Sequence, residues 1–140
     1  MYLPDINVGL ALAFASHKHH RSAEEWFEAL GSGAAAFCRL TQQGFLRLAT
    51  TPKVLADEPL TLIQAWQLYD ELFGDPRVVF SEEPDELEKH WRGFTRRRTF
   101  SPKVWNDAFV AAFAKAANFE VVSFDKGLAQ FKGVKCTILA

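Results

Sequence analysis

The sequence predicts an α/β fold, in which residues 1–140 form a single three-layer α/β/α domain around a central, mostly parallel sheet of four to five short strands. Short apolar runs alternate along the chain with longer segments that repeat apolar residues at helical spacing. Continuous apolar runs are typical of strands in a parallel sheet that is covered by helices on both faces. The 49% of hydrophobic residues, with 13 Phe and 4 Trp in a chain of 140 residues, supplies one core of ordinary domain size.

The first half of the chain predicts two strands and four helices. The first strand is the short run before Pro4, and an apolar helix follows it. Ser22 is expected to cap the second helix, and Thr41 is expected to cap the helix after the second strand. Pro52 and Pro59 mark a loop before the fourth helix. In chain order, the predicted elements are a strand at 2–3, helices at 8–15 and 22–30, a strand at 34–38, and helices at 41–48 and 62–73.

The second half predicts three strands and two helices. Pro84 is expected in the first turn of the fifth helix, where neighbouring acids favour the positive end of the helix. Pro102 separates this helix from a sixth helix that is rich in Ala and Phe, and the fourth strand leads directly to Asp125. In chain order, the predicted elements are a strand at 78–80, helices at 84–94 and 104–117, and strands at 121–124 and 136–139.

Composition and charge favour a folded protein of the cytoplasm. The net charge of −1 and the 24% of charged residues argue against disorder and against a uniformly basic nucleic-acid binder, while a local basic patch remains compatible with them. No apolar run reaches the roughly 18 residues of a membrane span, and the first residues do not resemble a secretory signal. Cys38 and Cys136 lie in apolar runs, which indicates buried free thiols rather than a disulfide.

Three aspartates lie where an open parallel sheet binds ligands, outside the carboxyl ends of its strands. Asp5 follows the first strand, Asp125 follows the fourth, and Asp107 lies in the first turn of the helix before the fourth strand. If the first and fourth strands are neighbours, the three carboxylates converge on one cleft. Each aspartate alone is equally consistent with stabilising a helix N-terminus, so the prediction of a site depends on the three together.

Carboxylates that are held close together repel one another, which raises the pKa of at least one of them until a cation binds. Mg²⁺ or Mn²⁺ is the expected cation, because such ions prefer oxygen ligands, retain several waters and leave positions open for a phosphate. A metal of this kind lowers the pKa of a bound water and stabilises charge on an attacked phosphodiester. The predicted chemistry is therefore metal-dependent hydrolysis of a phosphodiester.

Four short motifs occur in order along essentially the whole chain. They are LPDINV at 3–8, LTQQGFLRL at 40–48, WNDAF at 105–109 and SFDK at 123–126. Together they resemble the motifs of the PIN-domain nucleases, and most closely those of the VapC-type toxins, which open with D-x-N and end with a T-x-D or S-x-D at a strand end. The resemblance implies a metal-dependent ribonuclease that is the toxin of a toxin–antitoxin pair.

The resemblance also implies roles for individual residues. The acids of the first, third and fourth motifs correspond to the metal ligands and catalytic residues, which here are Asp5, Asp107 and Asp125. Asn7 is expected to orient Asp5, and helix capping is its alternative role. Thr41 and Asn106 are expected to support the site, with the same alternative.

Gln42 stands where the second motif commonly carries Glu. An amide oxygen can bind a metal or a metal-bound water, but the neutral side chain removes one negative charge. We expect Gln42 on the wall of the aspartate cleft and a weaker affinity for metal. This departure supports a second hypothesis, in which a PIN domain has lost catalysis and binds RNA or protein. A third hypothesis, a phosphatase with an aspartate nucleophile, is disfavoured because Asn7 stands where a second Asp is usually needed.

A basic stretch precedes the predicted Asp107 helix and favours contact with RNA phosphates or with a protein partner. Pairing with the nearby acids at 82–88 is the alternative. Arg47 in the second motif is a further candidate for such a contact. The members of the basic stretch that we single out are Arg96, Arg97, Arg98 and Lys103.

His17, His19 and His20 are expected to form a solvated lead-in to the second helix, in which one ring can touch a phosphate. The resemblance implies three kinds of partner and no membrane. These are an RNA substrate, such as tRNA or another structured RNA, a cognate antitoxin protein that enters the acidic site, and a second copy of the chain in a homodimer.

Overall fold

Five short strands form one parallel sheet in the computed structural model, which describes residues 1–52 and 59–140. The strands are β1 (Tyr2–Pro4), β2 (Ala35–Phe37), β3 (Val78–Phe80), β4 (Glu120–Ser123) and β5 (Cys136–Ile138). Their order across the sheet is β3-β2-β1-β4-β5, with β1 at the centre. Tyr2 pairs with Glu120 and Leu3 with Val121, so β1 and β4 are neighbours. The predicted α/β fold with a parallel central sheet is confirmed.

Six α-helices are present in the described residues. They are α1 (Ile6–Ala13), α2 (His20–Glu28), α3 (Arg39–Ala49), α4 (Leu62–Phe73), α5 (Leu87–Phe94) and α6 (Val104–Ala117), and a short 3-10 helix spans Lys126–Gln130. A capping box starts α4, because the Thr61 hydroxyl accepts the Gln64 N–H and the Gln64 side chain accepts the Thr61 N–H. Alanine favours α6 along its length, and Asn118 ends this helix in the left-handed conformation.

The strands divide the core between the two faces of the sheet, because successive side chains of a strand point in opposite directions. On one face, Leu3 and Val121 pack with Phe113 of α6. On the other face, Phe37 of β2 packs with Phe45 of α3. Both faces of the sheet are therefore covered by helices, which gives the three layers that the sequence predicts.

Four helix starts differ from the prediction. The first helix begins at Ile6 rather than at residue 8, and the third begins at Arg39 rather than at residue 41. The second helix begins at His20 with His19 as its cap residue, so Ser22 lies inside the helix and does not cap it. Contacts of the histidine rings, described below, fix this start. The fifth helix begins after Pro84, because Glu86 adopts a left-handed conformation with φ of 68° and interrupts the helical path.

Three further predictions concern the loop between Pro52 and Pro59, the two cysteines and membrane-spanning segments. The predicted loop between Pro52 and Pro59 lies mostly at 53–58, outside the described residues. Cys38 and Cys136 are free thiols, as expected, and Cys38 is buried while Cys136 is partly exposed. Among the described helices, none has the length and apolar character needed to cross a membrane.

Candidate active site

Asp5 lies where β1 ends and α1 begins. One carboxylate oxygen, Oδ1, accepts the backbone N–H of Ile6 at 2.8 Å and so caps α1. The other oxygen, Oδ2, accepts the hydroxyl of Ser123 at 3.0 Å and the amide of Asn7 at 3.5 Å. Asp5 therefore caps α1, which is one of its two possible roles, and it also belongs to a wider polar network. Its role as a metal ligand stays a prediction.

Ser123 is the centre of this network, and sequence reasoning did not single it out as a site residue. Its hydroxyl donates to Asp5, accepts the Asn7 amide at 3.2 Å, and accepts the backbone N–H of Asp125 at 2.9 Å. The donor and both acceptor positions of the hydroxyl are thus occupied, and the side chain is fully buried. The signal in the sequence was the S-x-D motif, in which the serine points inward and the acid follows two residues later.

Asn7 joins the first and fourth motifs. Its amide nitrogen donates to Asp5 and Ser123, and its amide oxygen accepts the backbone N–H of Phe124 at 3.3 Å. Asn7 lies inside α1 and does not cap it. These bonds fix the Asp5 carboxylate relative to the end of β4, which is the geometry that an orienting role requires.

Asp107 faces Asp5 across a cavity of about 370 Å³ at the carboxyl end of the sheet. Asn106 also lines this cavity, which agrees with the supporting position expected for it. Asp125 does not line the cavity itself, but it lies close enough to raise the pKa of both Asp5 and Asp107 through charge repulsion. The residues that line the cavity are Asp5, Ile6, Asn7, Leu10, His17, Leu40, Leu48, Asn106, Asp107 and Val110.

The electrostatics of the site disfavour three negative charges. The pKa of Asp107 is raised to about 6, chiefly by burial and further by repulsion from Asp5 and Asp125, while Lys103 opposes the rise. Burial also raises the pKa of Asp5, and hydrogen bonds from Ile6 and Ser123 limit that rise. Within the described residues, no group of three or more His, Cys, Asp or Glu side chains is arranged to hold a metal ion by itself.

Gln42 does not lie on the wall of the aspartate cavity, so that prediction is wrong. Its side chain accepts a hydrogen bond from Arg39 and lines a separate cavity with Arg47 and Trp66. The reason is the phase of α3. Leu40 faces the aspartates, and Gln42 lies two residues further on, about 200° around the helix.

Thr41 is buried inside the first turn of α3 and is not the cap residue that the sequence predicts. Its hydroxyl accepts the backbone N–H of Cys38 at 3.0 Å and donates to the Cys38 carbonyl oxygen at 3.1 Å. It therefore stabilises the start of α3 from within. It is absent from the lining of the aspartate cavity, which favours the capping alternative over direct support of the site.

Gly44 lies on the face of α3 that does approach the site. A Cβ atom at this position would stand 2.1 Å from the Ile6 Cδ1 atom and 2.8 Å from its Cγ1 atom. Ile6 follows Asp5 and lines the cavity. The missing side chain of Gly44 thus lets α1 and α3 pack closely behind the aspartates.

The PIN domain family matches residues 2–134 of the chain. The chain belongs to this family. Two curated relatives from Mycobacterium tuberculosis are similar over most of their length. "Ribonuclease VapC41" is 43% identical over 145 residues, which cover 100% of this chain and 99% of that protein. "Ribonuclease VapC38" is 49% identical over 134 residues, which cover 91% of this chain and 87% of that protein.

Solved PIN-domain structures share the fold. VapBC2 from Rickettsia felis, bound to a DNA fragment from its promoter, matches with a TM-score of 0.72 and 13% identity over 99% of this chain and 98% of that chain. VapC20 of Mycobacterium tuberculosis, described as a Sarcin-Ricin loop cleaving toxin, matches with a TM-score of 0.64 and 15% identity over 96% of this chain and 98% of that chain. At these identities the similarity shows the fold, and the predicted PIN-like architecture is confirmed.

The basic residues of this PIN domain lie on its surface beside the N-terminus of α6. Arg96, Arg98 and Lys103 are exposed, and no described acid forms an ion pair with them. Arg97 donates to the Gln130 side chain at 3.0 Å. The nearby Arg92 pairs with Glu88 at 2.8 Å, as the alternative interpretation of the stretch requires. The segment from 96 to 103 therefore keeps most of its positive charge exposed to solvent, and Lys103 at its end lies near Asp107.

Proposed function

We propose that this PIN domain is an endoribonuclease that hydrolyses RNA phosphodiester bonds with a bound Mg²⁺ or Mn²⁺. The observation that carries the proposal is the convergence of Asp5, Asp107 and Asp125 at the carboxyl end of the sheet, where they repel one another. Relatives that are 43% and 49% identical bear the name ribonuclease, which supports the same chemistry here.

The residues present fit a hard divalent cation. All three acids offer oxygen ligands, and charge repulsion contributes to the raised pKa values of Asp5 and Asp107, which supports binding of a cation there. Mg²⁺ is commonly held by only one or two carboxylates, with water completing its coordination. The absence of a group of three metal-binding side chains among the described residues is compatible with such binding. When bound, the cation would supply an activated water and stabilise charge on the phosphate.

The chain's own residues position these ligands. Asn7 and Ser123 hold the Asp5 carboxylate, and Ser123 also holds the backbone of Asp125. The network is rigid because the serine hydroxyl has no unused hydrogen-bonding position. Asp107 comes from α6, and no residue of the described ranges donates a hydrogen bond to its carboxylate, so we expect this ligand to adjust most when a cation and substrate enter.

The RNA backbone is expected to reach the cavity along the basic segment. Arg96, Arg98 and Lys103 are exposed there, and Lys103 lies near enough to Asp107 to oppose the rise of its pKa. Contacts of this kind bind phosphates without reading the sequence and weaken as salt increases. Specificity for a particular RNA must then come from other parts of the surface.

We further propose that the protein is the toxin of a toxin–antitoxin pair, acts in the cytoplasm and forms homodimers. Solved structures with the same fold include VapBC complexes, which supports an antitoxin partner. Arg47 lines a groove with Trp66, and Leu62 of the same groove is 74% exposed. A basic and apolar groove of this kind suits a protein partner better than an RNA backbone.

The test is RNA cleavage by native protein and by Asp107→Asn, across a titration of Mg²⁺ and Mn²⁺. Native protein should cleave only with metal, and Asp107→Asn should lose at least about a hundredfold in rate because a charged ligand is removed. Asp70→Asn is the matched control, since Asp70 is exposed on α4 and remote from the cavity. The substrates should include tRNA and a hairpin from the large ribosomal RNA.

Two results would contradict the proposal. Cleavage that survives Asp107→Asn would place the activity elsewhere or in a contaminant. Binding of RNA by the native protein without cleavage under any metal condition would favour the binding-module hypothesis. The original reason for that hypothesis is weaker now, because Gln42 lies outside the aspartate cavity.

A further inference from the structure

The segment between α1 and α2 is held in place by histidine contacts and is not the solvated lead-in that the sequence predicts. The His19 ring stacks on Phe124 with their centroids 4.4 Å apart and their planes 10° from parallel. His20 Nδ1 lies 2.7 Å from the carbonyl oxygen of Ala11. Phe124 lies between Ser123 and Asp125 in the sequence. The stack therefore joins the segment between α1 and α2 directly to the fourth motif.

These contacts bring His17 into the aspartate cavity, where it lines the wall together with Asp5 and Asp107. The ring is also oriented. Its Nδ1 atom accepts the backbone N–H of His19 at 3.0 Å, and the backbone N–H of His17 donates to the Phe14 carbonyl oxygen at 3.0 Å. In the neutral ring the proton must then sit on Nε2, for which the described residues offer no hydrogen-bond partner.

The residues that line the cavity indicate what the Nε2–H of His17 can bind. Of the ten residues that line the cavity, two are acids and His17 alone carries a basic nitrogen. An RNA phosphate entering the cavity meets carboxylates and therefore gains from a hydrogen-bond donor in the same cavity. Burial, and then the charges of His19, Lys18 and His20, lower the pKa of His17 and so favour the neutral ring, whose single donor is Nε2 because Nδ1 accepts the His19 N–H.

We propose that His17 donates its Nε2–H to a non-bridging oxygen of an RNA phosphate in the aspartate cavity. The inference rests on the proposed function in taking RNA as the ligand, and it adds a substrate-binding residue that belongs to none of the four motifs. The stack of His19 on Phe124 positions the segment between α1 and α2, and the His17 ring donates the hydrogen bond to the phosphate.

Two substitutions separate binding from packing. In His17→Asn the amide oxygen can still accept the His19 N–H, but no donor remains at the position of the His17 Nε2 atom. In His17→Gln the amide nitrogen reaches close to the position of Nε2 and retains a donor there. His90→Asn is the control, because His90 is a partly exposed histidine on α5, away from the cavity.

The measurement is the affinity for a short single-stranded RNA by fluorescence anisotropy, with EDTA present and Asp107→Asn as the background so that no cleavage occurs. Loss of one hydrogen bond to a charged oxygen should raise Kd roughly tenfold in His17→Asn. His17→Gln should recover most of the affinity, and His90→Asn should leave it unchanged. An RNA with a neutral methylphosphonate at the bound position should remove the difference between native protein and His17→Asn.

An unchanged Kd in His17→Asn overturns the inference, and so does an equal loss in the Asn and Gln variants, which would indicate a packing role. If the variants do not fold, the His17 ring signals of the native protein can be followed by NMR while a dinucleotide is added in EDTA. Absence of any shift would also overturn it. Because these readouts involve no cleavage, a protein that never cuts RNA but shows the expected pattern refutes the proposed function and leaves this inference standing.

Discussion

Replacing Asp107 with Asn is expected to stabilise the metal-free protein at neutral pH while removing its activity. The folded protein raises the pKa of Asp107 from 3.8 to about 6 through burial and repulsion by Asp5 and Asp125. An acid whose pKa is higher in the folded state holds its proton more tightly there, so stability falls as pH rises from about 4 to about 6 and then levels off. The neutral amide avoids this loss.

The size of the effect follows from the shift in pKa. Each unit corresponds to about 1.4 kcal/mol, so a fully buried carboxyl with this shift would lose about 3 kcal/mol. Asp107 is partly exposed and water screens its charge, so we expect a loss on the order of 1 kcal/mol. A change of that size moves the melting temperature by a few degrees in a protein of this length.

The assay is urea unfolding of native protein, Asp107→Asn and the control Asp70→Asn between pH 4 and pH 8 in EDTA. The stability of Asp107→Asn relative to native should increase between pH 4 and about pH 6 and stay constant above. Addition of Mg²⁺ should reduce the difference, because the cation stabilises the charged carboxylate of the native protein. A difference that is independent of pH, or that grows towards acid, would refute the electrostatic reasoning.

Four further predictions follow from the site and its surroundings. Millimolar Mn²⁺ or Mg²⁺ should raise the melting temperature of native protein by a few degrees, and Asp5→Asn should reduce this rise. Equal melting curves with and without metal would argue against a metal site. Gln42→Glu should change the metal dependence of cleavage less than about twofold, because the side chain lies outside the cavity; tighter metal binding would contradict this placement. Gly44→Ala should lower the free energy of unfolding by about 1–2 kcal/mol, because crowding against Ile6 outweighs the gain in helix propensity. Gly93→Ala is the comparison, because a methyl group at Gly93 meets open space, and it should raise the free energy of unfolding by up to about 1 kcal/mol. Light scattering at micromolar concentration should report a homodimer, and a monomer alone would contradict that expectation.

Much of the site could be predicted from the sequence because topology determines it. Asp5 and Asp125 follow strands, and parallel strands bring their carboxyl ends to one edge of a sheet. The predicted convergence of the three acids required the assumption that β1 and β4 are neighbours, and the structure confirms that they pair. The roles of the three acids as metal ligands, and the extent of a single domain over 1–140, remain predictions.

Gln42 shows why the rest of the site was harder to predict. A motif gives a residue and an approximate element, but which face of the helix meets the site depends on how that helix packs in the fold. The prediction began α3 at Thr41, whereas the helix begins at Arg39. The spacing of Leu40, Gly44 and Leu48 by four residues marks the face near the site, and this signal was present in the sequence.

The histidine segment could not be predicted from local pattern at all. The stack of His19 on Phe124 joins residues that are more than a hundred positions apart, and no periodicity in either segment reports it. A cluster of polar residues between two helices ordinarily indicates a solvated loop. Here the aromatic surface of the fourth motif overrides that tendency.

The ribosome makes β1 more than a hundred residues before its neighbour β4, although the two strands lie side by side in the sheet. Asp5 is therefore synthesised long before Asp107 and Ser123, which lie beside it in the folded protein. A chain that ends after β3 lacks Asp107, Ser123 and Asp125, and with them most of the proposed catalytic centre. Under the proposed function, we expect nascent and truncated chains of this length to be unable to cleave RNA.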